Sequence, residues 1–154
     1  MDVLFYHMTE SRLEQALPQL VERCLSRDWR VLVQVGDEAQ VTILDEALWT
    51  WRDDSFLPHG AEGIAKHDAS AHPVWLAGGC EASAGRHVHF AVAGAVPEGS
   101  TVSERIIYMF DGHDADAVST ARERWKVEKE AGRPLTYWQQ DGGRWVERAS
   151  ANKA

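Results

Sequence analysis

The order of apolar runs predicts an α/β fold, a single three-layer domain with a mostly parallel mixed sheet and a C-terminal β-hairpin. Three observations carry this. Short runs rich in β-branched residues alternate with amphipathic stretches in the first third of the chain, giving β-α-β-α. Further short apolar runs follow, each closed by glycine, proline or aspartate. The last segment has two alternating runs around Asp141-Gly142-Gly143, whose turn residues tolerate positive φ.

Residues 3–6 form the first run and read as a strand buried on both faces. Leu13, Ala16, Leu17, Leu20, Val21, Cys24 and Leu25 then recur at spacings of three and four, the stripe of a helix of about four turns. Pro18 lies inside that stripe, which predicts either a kink or a late start with Pro18 in the first turn. Residues 30–35 form the second strand. Asp37, with Gln40 three residues later, reads as a capping pair. Val41, Leu44, Leu48 and Trp51 make the stripe of a second helix ending near Trp49 or Trp51.

Residues 52–71 are weakly patterned and predict a long loop with a short extended piece at Ser55-Phe56-Leu57. Strands are expected at 74–76, 88–92 and 105–110. A helix capped by Asp114 or Asp116 then runs to about Ala131, where Gly132 and Pro134 stop it. Residues 136–140 and 144–148 form the hairpin, so the domain spans 1–148 and residues 149–154 read as a frayed tail.

Composition narrows the function. The 154 residues carry 16 Lys and Arg against 24 Asp and Glu, a net charge of −8. Such a surface repels the phosphate backbone, so little direct nucleic-acid binding is expected beyond a local basic patch. Two distant cysteines, Cys24 and Cys80, fit no metal spacing and suit a reduced, cytoplasmic protein. The opening residues lack the basic n-region of a signal peptide. No run of 18 apolar residues suggests a membrane span.

The catalytic motifs of α/β enzymes are missing. The nearest approach to a phosphate-binding loop is Gly60-Ala61-Glu62-Gly63-Ile64-Ala65-Lys66, which lacks the glycine beside lysine and the following hydroxyl. The first strand is followed by His7-Met8-Thr9-Glu10, with no glycine to let a pyrophosphate approach the backbone. His87 and His89 alternate on one strand face as two metal ligands would, but His59, His67, His72 and His113 are scattered. The seven histidines therefore read as solvent-side residues on an edge strand and in loops. Ala82-Ser83-Ala84-Gly85 is not a nucleophile elbow. These absences favour a binding module with no cofactor and no metal. The alternative is a nucleotide-binding or hydrolytic α/β enzyme of unknown substrate.

Tryptophan is over-used: seven of the aromatic residues, against three Tyr and four Phe. Trp49 falls beside the second helix's stripe and precedes Phe56-Leu57-Pro58, which suggests an exposed apolar patch; simple capping of the core is an equal reading. On the last helix, Arg122, Trp125, Lys126 and Lys129 share a face. A tryptophan flanked by cations suits an acidic peptide ending in an aromatic residue, the ring holding the side chain and a cation the carboxylate. The plainer reading is a core Trp125 among solvated charges.

The sequence resembles the chi subunit family of bacterial DNA polymerase III. The resemblance rests on Val3-Leu4-Phe5-Tyr6, Arg30-Val31-Leu32-Val33, Leu44-Asp45-Glu46-Ala47-Leu48-Trp49, Ser55-Phe56-Leu57-Pro58-His59 and Ala121-Arg122-Glu123-Arg124-Trp125-Lys126. It implies a noncatalytic clamp-loader accessory subunit of nucleotide-binding-like topology without a phosphate loop. Its partners would be the psi subunit and the acidic C-terminal tail of single-stranded DNA-binding protein. The psi surface would hold Trp49, Phe56 and Pro58. The tail surface would hold Arg122, Trp125, Lys126 and Lys129, with Tyr137 as a further member. Some relatives carry lysine where this chain has Val118, and tyrosine at Trp125. The first change weakens tail binding by one cation and the second preserves stacking. The hairpin beyond Trp138 extends past shorter relatives and gains no role from the resemblance.

Overall fold

A computed structural model describes residues 1–51, 57–63 and 69–153. Strand β1 (Asp2–Met8) leads to helix α1 (Leu13–Leu25), β2 (Val31–Val35) and α2 (Glu38–Trp49). Short strands β3 (Gly60–Ala61) and β4 (Val74–Ala77) precede β5 (Val88–Val92) and β6 (Arg105–Asp111). Helix α3 (Ala115–Glu130) and the hairpin β7 (Leu135–Asp141) and β8 (Arg144–Ala151) complete the order. All eight strands join one sheet in the order β3-β4-β2-β5-β6-β1-β7-β8. Every pairing is parallel except β7 with β8.

The strand pleat divides the core. Even residues of β1 (Leu4, Tyr6, Met8) face α1 and α2, meeting Leu17, Leu20, Val21, Leu44 and Leu48 in the larger apolar cluster. Odd residues Val3 and Phe5 face the other way, where Ala121 and Trp125 of α3 cover them with Phe110 and Leu135. Helices thus lie on both faces, as a parallel sheet requires. Under β2 and β4, Leu32, Trp75 and Ala77 are covered by 3-10 turns at Ala69–Ala71 and Glu81–Ser83.

Three expectations need correction. Pro18 sits well inside α1, beyond the first turn, so the helix does not start late; the ring is buried among the apolar residues that hold the helix against the sheet. The tail from Ala149 does not fray through its whole length. Residues Ala149, Ser150 and Ala151 continue β8 opposite Tyr137, Thr136 and Leu135. The Asn152 side chain then donates to the carbonyls of Lys129 (2.9 Å) and Arg133 (3.1 Å), closing the C-terminus of α3. The strand that carries His89 is central rather than an edge, His87 lies just before it, and His89 is completely buried.

That burial creates a polar network around His89. The His89 Nε2–H donates to Gln34 Oε1 at 2.8 Å, leaving Nδ1 to accept from the Ser100 hydroxyl at 2.7 Å. Cys80 adds its thiol to the same Gln34 oxygen at 3.2 Å. Desolvation lowers the His89 pKa to about 4, so the ring is neutral and both its nitrogens are satisfied. Nearby, the buried Arg86 guanidinium donates to the carbonyls of Ala82, Val31, Pro73 and Ala69. Burial, with Arg30 close by, lowers its pKa to about 10, still far above neutrality.

Candidate functional site: an aromatic and cationic face on the last helix

Helix α3 starts where Asp114 accepts from the amides of Asp116 (3.0 Å) and Ala117 (3.2 Å). Ala117, Val118, Ala121 and Trp125 turn to the sheet. Arg122, Lys126 and Lys129 are exposed on the outer side. Among the described residues, Arg124 pairs with Glu98 (4.0 Å) and Arg133 with Glu128 (3.3 Å), while Arg122, Lys126 and Lys129 have no ion-pair partner.

Beneath these cations lies a ring cluster. Phe5 stacks on Tyr108 with centroids 4.8 Å apart, and Trp125 meets it edge-on at 5.5 Å. Tyr137 reaches the cluster from β7, edge-on to Trp125 at 5.9 Å. Trp125 and Tyr137 are half-buried, so each belongs to both the core and the surface. Arg122, Trp125 and Tyr137 therefore converge. Lys126 and Lys129 are exposed on the same helix side.

His7 is the residue that sequence reasoning missed here. Its Nδ1 lies 2.7 Å from the Tyr137 hydroxyl. Burial lowers the His7 pKa and the nearby Arg122 guanidinium lowers it further, against the opposing pull of Asp111. Burial raises that of Tyr137, against the opposing pull of Arg122. The imidazole and the phenol share one hydrogen bond, whose direction follows the His7 tautomer. Gly112 allows this ring its place, since a Cβ there would collide with His7 Nε2. The alternation of β1 does assign His7 to the α3 face, but only the fold brings it to Tyr137.

A second exposed area lies at the end of α2, on the opposite face of the sheet. Leu44 and Leu48 are buried, while Trp49 is 52% exposed. Trp51, which the stripe assigned inward, packs partly against the core and donates from its indole to Glu22 at 3.1 Å. The Trp49 ring meets His59 edge-on at 5.0 Å. Buried His59 ties the following segment to the helix: Nδ1 is 2.7 Å from the Leu57 carbonyl, and Nε2 is 2.9 Å from Asp45 Oδ1. Leu57 enters the core and Pro58 is exposed beside it. Phe56, also expected on this surface, lies outside the described residues.

The crevice at the carboxyl ends of β1, β5 and β6, where α/β folds commonly bind ligands, measures about 860 Å³. Six carboxylates line it (Glu10, Glu14, Asp37, Asp111, Asp114 and Asp116) against two arginines, Arg12 and Arg124, a balance of charge that disfavours phosphate. The amides after β1 that would face a phosphate are already engaged: those of Thr9, Glu10 and Ser11 donate to Gln140 Oε1 at 3.0, 3.0 and 3.1 Å. Among the described residues, no group of three or more His, Cys, Asp and Glu is arranged to hold a metal. No described helix is long and apolar enough to cross a membrane.

A family profile described as DNA polymerase III chi subunit, HolC, matches residues 1–136. The chain is 30% identical over 131 residues to a Pseudomonas aeruginosa protein named DNA polymerase III subunit chi, covering 81% of this chain and 84% of that one. A protein of the same name from Escherichia coli K12 is 30% identical over 122 residues, covering 76% and 81%. A Rickettsia prowazekii protein named as a probable DNA polymerase III subunit chi is 28% identical over 57 residues, covering 37% and 34%. The chain belongs to the DNA polymerase III chi subunit family, accessory subunits of the replicative polymerase.

Proposed function

We propose that this chain is a noncatalytic adaptor that bridges two partners within the replicative assembly. Trp49 at the end of α2, with Phe56 and Pro58 of the segment that follows in sequence, would make the surface for the psi subunit of the clamp loader. On α3, Arg122, Trp125, Lys126 and Lys129, with Tyr137, take the acidic C-terminal tail of single-stranded DNA-binding protein. The observation that carries this reading is the position of Trp49 and Arg122 on elements packed against opposite faces of the sheet. Two partners can then be held together without competing for one surface. The acidic crevice, with its loop amides bonded to Gln140, speaks against the alternative of a nucleotide-binding enzyme.

The chemistry of the α3 surface suits a carboxylate next to an aromatic side chain. Arg122 has no carboxylate partner among the described residues and can take the peptide's terminal group bidentately. Trp125 and Tyr137 offer ring surface beside it. The test is a mixing experiment with psi and single-stranded DNA-binding protein, resolved by gel filtration. A ternary complex is expected. Trp49→Ala or Phe56→Ala should remove psi alone, and Arg122→Ala should weaken the other partner alone. Loss of both partners from one folded variant, or neither partner binding the wild-type chain, contradicts the proposal.

A further inference from the structure

The C-terminal hairpin builds a groove that neither proposed surface uses. It lies on the α1 side of the sheet, and its hairpin residues fall beyond residue 136, where the family match ends. The groove measures about 640 Å³. Its floor is aromatic: Trp145 meets Tyr6 edge-on at 4.8 Å, and Trp138 stacks on Tyr6 at 6.4 Å. One wall is the exposed ladder Gln15, Gln19 and Arg23, spaced four residues apart on α1. The other end is closed by Arg144 at the start of β8.

The groove is firmly framed. Gln140 accepts from three amides of the β1–α1 loop and donates to the Ser11 hydroxyl, and Thr9 donates its hydroxyl to the Gln140 carbonyl at 2.9 Å. Both oxygens of Glu10 are occupied by the amides of Gly142 (3.1 Å) and Gly143 (3.0 Å) in the hairpin turn. The groove's one carboxylate is therefore committed to the frame. The neighbouring acids of the hairpin are committed too, Asp141 to Arg148 and Glu147 to Lys153, each at 3.1 Å. Arg23 and Arg144 have no such partner among the described residues. The Trp138 indole N–H is shielded from water and has no acceptor among the described residues.

We infer that this groove docks an internal acidic segment of a partner protein, with an apolar or aromatic residue held between two carboxylates. The frame supplies donors and cations with no free counter-charge, so the occupant must bring acceptors and negative charge. From Gln15 to Arg23 the helix rises about 12 Å, which matches three to four extended residues. Cations at opposite ends of that span fit two separated carboxylates better than one chain terminus. The glutamine amides suit the intervening peptide backbone, and the rings suit its apolar side chain. A polyanion is less well suited, because the whole chain carries −8 and, among the described residues, two arginines line the groove.

The probe is a synthetic peptide of two aspartates, phenylalanine, leucine and two aspartates, blocked at both ends, titrated calorimetrically into the full chain. Its blocked terminus removes the group that Arg122 would recognise. Binding should be weakened at least about tenfold, 1.4 kcal/mol or more, in Arg23→Glu/Arg144→Glu and unchanged in Arg122→Ala. The double variant should keep its melting temperature. Absence of binding to the wild-type chain overturns the inference. So does equal binding by the double variant, loss of binding in Arg122→Ala, or preferential binding of oligothymidylate.

Discussion

Trp49 and Trp125 are the same side chain used in two ways. Trp49 ends α2, is 52% exposed, and rests an edge on His59. Trp125 lies mid-helix, half-buried, with Phe5 and Tyr137 against its ring. Removing the first leaves the sheet intact. Removing the second opens the core between α3 and β1. A tryptophan-rich surface can thus be read for function only after asking what each ring does for the fold. On the α2 end, the proposed binding role and stability are separable within one residue. On α3 they separate between residues, with Trp125 and Tyr137 tied to the core and Arg122 free of it.

The largest effects should fall on the core side of this comparison. Trp125→Ala is expected to lower stability by about 2–3 kcal/mol, less than a fully buried tryptophan because part of the ring is already solvated. Trp49→Ala should stay within about 0.5 kcal/mol. Urea denaturation of both variants measures the difference, and equal losses would erase the distinction between the two rings.

Acid provides a control that acts away from both surfaces. His89 titrates near 4 in the fold and near 6.5 unfolded, so the unfolded chain binds more protons between those values. Stability contributed by neutral His89 is complete above pH 6.5 and is lost as pH falls towards 4, on the order of 3 kcal/mol. Melting from pH 7 to 4 should show this decline equally in wild type, Trp49→Ala and Arg122→Ala. A flat profile would mean that the Gln34–His89–Ser100 network does not hold His89 neutral.

A smaller effect should mark the hydroxyl of Tyr137. Tyr137→Phe removes the hydroxyl that is hydrogen-bonded to His7 Nδ1, costing about 1 kcal/mol while keeping the ring. Stability should fall modestly, with the Trp125 contact retained. A loss as large as that of Trp125→Ala would show that the hydrogen bond, and not the ring packing, organises this face.

The sequence made much of this fold legible because most elements are regular. The stripe from Leu13 to Leu25, the cap at Asp37 and the stop at Gly132 each correspond to an observed boundary or stripe. The misses have physical causes. His89 reads as polar, and only Gln34 and Ser100, brought from distant segments, make its burial tolerable. The tail after Arg148 lacks apolar alternation, so its pairing with β7 and the Asn152 cap depend on partners that local patterning does not reveal. Strand β3 has two residues, Gly60 and Ala61, too short for any periodicity. At the α3 face, helical spacing grouped Arg122 with Trp125, and the resemblance added Tyr137. His7, more than a hundred residues away, could be joined to them only by the pairing of β1 with β7.

In the proposed function, α3 binds an acidic tail through Arg122 beside the Trp125 and Tyr137 rings. The direct measurement is a titration of wild type and Arg122→Ala with an acidic peptide ending in phenylalanine, at low and moderate salt. Arg122→Ala should lose about 1.5–3 kcal/mol of binding, the range for hydrogen bonds to a charged group, with its melting temperature unchanged. Wild-type affinity should fall with salt, because the contacts are exposed and screening acts over about 8 Å at physiological ionic strength. Equal affinities for the two proteins, or binding indifferent to salt, would contradict the claim and leave the cations of α3 as solvated charges.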